Sequence, residues 1–164
     1  MKRAYLWALL AAGLVLTGVL PLEAHDPSEL LPARVLTVRR EDGWVHTACD
    51  SGAEGVGKTL DAALADMARS AEGVLFLDTA EHILLHGGAR ELTAQVAASS
   101  RLRPAARLYL TEDRMPDAKR CAAFLQAHPG RVTLGAVHAA MLGAGGVTLP
   151  RVVETEGRLR LLER

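Results

Sequence analysis

Between two β-rich runs, RVLTVRR (34–40) and WVHTACD (44–50), stand only Glu41, Asp42 and Gly43. An Asp-Gly pair supplies the left-handed backbone that a tight hairpin turn needs, so the two runs are expected to be neighbouring antiparallel strands. The constraint reaches forward. The chain beyond residue 50 leaves from the second arm of a hairpin, because parallel neighbours require a crossover of a dozen or more residues and none is available here.

The next segment is GAEGVGKTLDAAL (52–64), in which Gly52, four further residues, Gly57, Lys58 and Thr59 have the spacing of a phosphate-binding loop. A glycine loop, a lysine and a hydroxyl suit a triphosphate and its magnesium, and Asp78, at the end of the apolar run VLFLD, would add a carboxylate. The alternative reading is therefore a nucleotide-binding protein with Gly52, Gly57, Lys58, Thr59 and Asp78 as its cofactor-binding residues. Against it, such a loop works at the edge of a parallel sheet, which the hairpin denies it. Each letter also has a packing role: Gly52, Gly55 and Gly57 turn the chain, Thr59 caps a helix, Asp61 meets the positive end of its dipole and Lys58 faces solvent. We adopt this architectural reading, with no cofactor and no catalytic residue assigned.

Downstream, TLDAALADMARSAEG repeats Leu60, Leu64, Met67 and Ala71 at three and four residues and reads as an amphipathic helix stopped by Gly73. VLFLDTAEHILLH reads as a strand through Asp78 and a second extended piece through Leu85. ARELTAQVAASSR is a helix with Leu92 and Val96 inward, ended by Pro104; ARLYLTED is a short strand. Pro116 and Asp117 open a helix, DAKRCAAFLQAH, that buries Cys121, Phe124 and Leu125. VTLGAVHAAML fits helix or strand, and LPRVVETEGRLRLLE reads as a hairpin about Glu156-Gly157. The order β-β-α-β-α-β-α, then β, predicts an α+β fold: a mixed, mainly antiparallel sheet with about three helices packed against it.

Lys2 and Arg3 followed by an apolar run to Leu20 read as an export signal, with Ala24 as the cleavage position. Retention as an N-terminal membrane anchor is equally open. Residues 25–33, with two prolines, read as a linker, 34–128 as the α/β domain and 129–164 as a C-terminal extension. Removing residues 1–24 takes away Lys2, Arg3 and Glu23 and leaves 17 basic against 18 acidic residues. That balance argues against nucleic acid as a partner. An exported domain also meets little nucleoside triphosphate. Export permits a disulfide between Cys49 and Cys121; two separately buried thiols are an equally ordinary arrangement.

Glu81, His82 and His86 invite a metal reading, since residues four apart on a strand share a face, but the helical His-Glu pattern of zinc peptidases is missing and Ile83, Leu84 and Leu85 point to packing. No metal site is assigned. No Gly-x-Ser-x-Gly elbow supports a nucleophilic triad. His46, His128 and His138 read as surface or half-buried residues.

The strand pair followed by GVGKTLDAALADMARSAEGVLFLDTAEHILLHGGARELTAQVAASSRLRPAARLYLTED resembles the N-terminal domain of the Ger(x)C family, the C subunit of the nutrient germinant receptors of spore-forming bacteria. The resemblance covers roughly residues 33–114. It rests on a glycine-lysine-threonine turn opening the first helix, a strand ending near a histidine, and an arginine-rich junction before the next strand. It implies a non-enzymatic subunit at the outer face of the cytoplasmic or spore inner membrane, acting by contact with the membrane proteins of a receptor. Family members are lipoproteins, whereas LTGVLPLEAHD offers no cysteine to take the lipid; anchoring would come from an uncleaved signal, and cleavage would leave a secreted protein. The chain also stops where the family continues into further domains. A stand-alone binding module for an envelope ligand is a further alternative.

Overall fold

The computed structural model describes residues 30–112, 114–143 and 145–163, together with Tyr5. The export segment otherwise lies outside the described residues, among which no helix is long and apolar enough to cross a membrane.

The hairpin forms where Asp42-Gly43 requires it. Strand β2 (Val35–Glu41) pairs antiparallel with β3 (Trp44–Cys49), and Asp42 and Gly43 take φ of 50° and 76°, the two positive values of a type I′ turn. The glycine stretch then forms a third strand rather than a loop. Strand β4 (Glu54–Gly57) pairs antiparallel with β3, Thr47 opposite Gly55 and Val45 opposite Gly57. The physical reason lies in helix α1 (Leu60–Ser70), which rests on β4: a methyl group on Gly55 would run into the backbone of Ala63 and Met67, and one on Gly57 into that of Ala62 and Ala63. Only glycine allows strand and helix to approach so closely. Thr59 is the N-cap, its Oγ1 accepting from Ala62 N at 3.2 Å, and Leu60, Ala63, Leu64 and Met67 are buried.

The run VLFLDTAEHILLH breaks in two. Strand β5 (Val74–Phe76) pairs parallel with β1 (Leu30–Pro32) in a separate two-stranded sheet, a 3-10 turn (Leu77–Thr79) comes next, and β6 (His82–His86) joins the main sheet beside β2. The expected linker therefore enters the fold from Leu30 on, and Ala33 is fully buried. A second 3-10 segment (Gly87–Leu92) and helix α2 (Thr93–Ala98) lead to β7 (Arg107–Thr111), parallel to β6. Helix α3 (Ala118–Ala127) and helix α4 (Leu134–Leu142) come after it; the latter decides the ambiguous run in favour of helix, with Thr133 as its cap. Strands β8 (Arg151–Thr155) and β9 (Arg158–Leu162) close the chain as the expected hairpin, Glu156 and Gly157 repeating the turn geometry of Asp42-Gly43.

The fold is α+β. Seven strands lie in the order β4-β3-β2-β6-β7-β8-β9, with parallel pairs from β2 to β8 and antiparallel pairs at both edges. Residues 129–163 complete this sheet. Its larger core, on the face that carries α1, includes Leu36, Val38, Leu64, Met67, Ile83, Leu85, Leu108 and Val137. The smaller core, on the α3 face, gathers Val35, Leu84, Tyr109, Cys121, Ala122, Leu125 and Val152. Alternation along β6 explains the division: Ile83 and Leu85 point one way, Leu84 the other. A buried leucine contributes about 1.5–3 kcal/mol by leaving water.

Cys49 and Cys121 are both buried and free. They belong to the two different cores, with the sheet between them, and do not form the disulfide that the compartment would permit.

Candidate functional site on the open sheet face

On the α3 face, α3 covers β2 and part of β3 and leaves β4 bare. The uncovered surface is built by alternation. Because Gly55 and Gly57 turn toward α1, Glu54 and Val56 turn outward, and across the three strands Arg39, His46 and Val56 stand in one row. A groove of about 470 Å³ runs between this row and the segment leading into α3, where Met115, Asp117 and Lys119 form the opposite wall. His46 and Val56 also line an adjoining hollow of about 400 Å³, with Glu41, Asp42 and Trp44. Trp44 and Val56 are 41% and 43% exposed, a large apolar area on an otherwise charged surface.

Lys58 belongs to this surface. Its Nζ lies 3.6 Å from the centroid of the Trp44 ring, a cation–π contact that holds the indole in place. The outer edge of β4 is also tied down: Val56 N donates to Asp66 Oδ2 at 2.9 Å, and Arg69 Nη2 donates to the other carboxylate oxygen at 2.9 Å. The backbone donor first, then Arg69, holds the Asp66 carboxyl below its usual range.

The residues of the phosphate-loop reading are thus dispersed. Gly52, at φ 95°, closes the β3–β4 turn by donating its N–H to Cys49 O; Gly57 is inside β4; Thr59 caps α1; Lys58 lies over Trp44. Asp78 is not with them. Lys58 and Thr59 precede α1 and Asp78 comes after it, so an eleven-residue helix, about 16 Å long, stands between them. The carboxylate expected to complete a magnesium site is in the 3-10 turn after β5.

Glu81, His82 and His86 do not converge either. Four residues of strand put His82 and His86 about 13 Å apart, and among the described residues no group of three or more His, Cys, Asp or Glu could hold a metal ion. His86 Nδ1 accepts from Gly88 N at 3.2 Å. His82 is 2% exposed and its Nδ1 lies 3.0 Å from the Tyr109 hydroxyl, which itself accepts from Gly130 N at 3.0 Å. His82 Nε2 is buried with no hydrogen-bond partner among the described residues. Desolvation, with Arg107 adding repulsion, lowers the imidazole pKa to about 4, so His82 is neutral at pH 7. Burial likewise pushes the Cys121 thiol up to about 12, which leaves it unreactive.

The open face is not evident from the sequence. Its signal is present in the alternation Trp44, His46, Ala48 along β3, which leaves polar or exposed residues on one side, but the face exists only once β4 is a strand. Comparison with family models, with characterised proteins and with solved structures finds no match for the chain.

Proposed function

We propose that this protein is a non-enzymatic, extracytoplasmic, membrane-associated subunit akin to the germinant receptor C subunits, and that it works by contact with the membrane proteins of a receptor in spore germination. The observation that carries this reading is the surface that α3 leaves uncovered, on β4 and the adjoining parts of β3 and β2, where Trp44 and Val56 are exposed among Arg39, His46, Glu54 and Lys119. An exposed aromatic ringed by charges is the composition of a protein-contact surface. The resemblance over residues 33–114 and the export-type start of the chain add their weight to it. So does the employment of Gly55, Gly57, Lys58 and Thr59 in packing, capping and ring contact.

The test is genetic and chemical together. Deletion of the gene in the native host is expected to block or slow spore germination, with rescue by the wild-type chain and weak rescue by Trp44→Asp. A photoreactive residue at position 46 is expected to capture a membrane protein of the receptor. Normal germination in the deletion strain overturns the germination role.

A further inference from the structure

We propose a second site, for a small aliphatic monocarboxylate, in the cavity over strands β7, β8 and β9. Leu110, Arg151 and Leu162 are cross-strand neighbours on β7, β8 and β9, so their side chains share one face of the sheet and form the floor of the cavity. The cavity measures about 690 Å³ and is lined chiefly by Arg90 from the 3-10 segment after β6, Leu110 from β7, Val147 and Leu149 from the segment entering β8, and Arg151 and Leu162 from the β8–β9 hairpin. That is the size of a small-molecule pocket.

Its walls are of two kinds. Val147 and Leu162 are 38% and 46% exposed and both border the cavity, so apolar surface is kept open there instead of being packed into a core. Arg90 and Arg151 bring two guanidinium groups, and among the described residues no acidic side chain lines the space. Arg151 Nη1 already pairs with Glu112, 3.1 Å from Oε1 and 3.2 Å from Oε2, which offsets its charge. The carboxylate next to Arg90 in sequence, Glu91, is committed to Arg40 at 3.0 Å, and among the described residues Arg90 has no ion pair. Among the described residues the Arg90 guanidinium thus has no carboxylate partner and lies beside an apolar wall. A single carboxylate matches a guanidinium fork, and an aliphatic chain matches Leu110, Leu149 and Leu162. A doubly charged phosphate monoester would exceed the available charge.

Hydrogen–deuterium exchange on the full-length chain in lipid nanodiscs, titrated with hexanoate, hexylamine and hexyl phosphate, tests the assignment. Hexanoate is expected to slow exchange saturably in segments 87–92 and 146–151, and hexylamine to leave both unchanged. Arg90→Met, which keeps the aliphatic stem at an exposed position, is expected to weaken the hexanoate effect about tenfold with unchanged thermal unfolding. Leu162→Gln, a second exposed position, is expected to weaken it as well. The assignment fails if hexanoate slows neither segment, if hexylamine acts equally, if hexyl phosphate binds better than hexanoate, or if both variants respond like wild type.

Discussion

The two faces of strand β4 differ sharply. Toward α1 it presents Gly55 and Gly57, so close to the helix that no side chain fits; away from α1 it presents Glu54 and Val56 to open solvent. The same contrast runs across the sheet. The α1 face encloses the larger, apolar core, whereas the α3 face holds the smaller core, the buried His82–Tyr109 pair and the bare groove. One side of the sheet thus encloses more of the buried apolar residues, and the other carries the open groove and the buried titratable pair.

The contrast is sharpest in a truncation experiment. Leu64→Ala, at a fully buried position under the sheet, is expected to destabilise by about 2–5 kcal/mol in chemical denaturation, through lost burial and the cavity left behind. Acid should act on the opposite face. The His82 pKa is depressed from 6.5 to about 4 in the fold, so between those values the unfolded chain binds more protons than the folded one. Stability is then complete above about pH 6.5 and falls as the pH drops toward 4, by about 3 kcal/mol at most. Denaturation midpoints across that range should decline in the wild type and flatten in His82→Leu; an unchanged slope in the variant would assign the decline to other groups.

Gly57→Ala should cost about 1–3 kcal/mol, since a single methyl forces β4 away from α1. A neutral effect would mean that strand and helix are not in contact as described. Smallest of all, Trp44→Ala and Lys58→Ala should each change stability by less than about 1 kcal/mol, because they remove one exposed cation–π contact and no core packing. In a double-mutant cycle the two should be coupled, and additivity would remove the ring contact.

Much of the fold is legible in the sequence because local chemistry and final structure agree. Asp42-Gly43 and Glu156-Gly157 make their turns, Leu60, Leu64 and Met67 turn inward from α1, and Asp117 caps α3. The departures have physical causes. Strand β4 is hidden because Gly55 and Gly57 are poor β-formers by themselves and are required only by a helix that comes later in the sequence. Strand β1 is concealed by Pro32, and it pairs with a segment more than forty residues away. The open face, the meeting of His82 with Tyr109 and the separation of Cys49 from Cys121 all depend on which strands adjoin and on which side each helix settles, and no spacing in the chain encodes these.

The architectural role of the glycine-lysine-threonine bend is best tested by titrating the full-length chain with magnesium and ATP while monitoring the backbone amide resonances of residues 52–60. With these residues committed to packing on α1, capping and the Trp44 ring, no saturable shift is expected, and Lys58→Ala should behave as the wild type does. Saturable shifts across this segment that disappear in Lys58→Ala would contradict it.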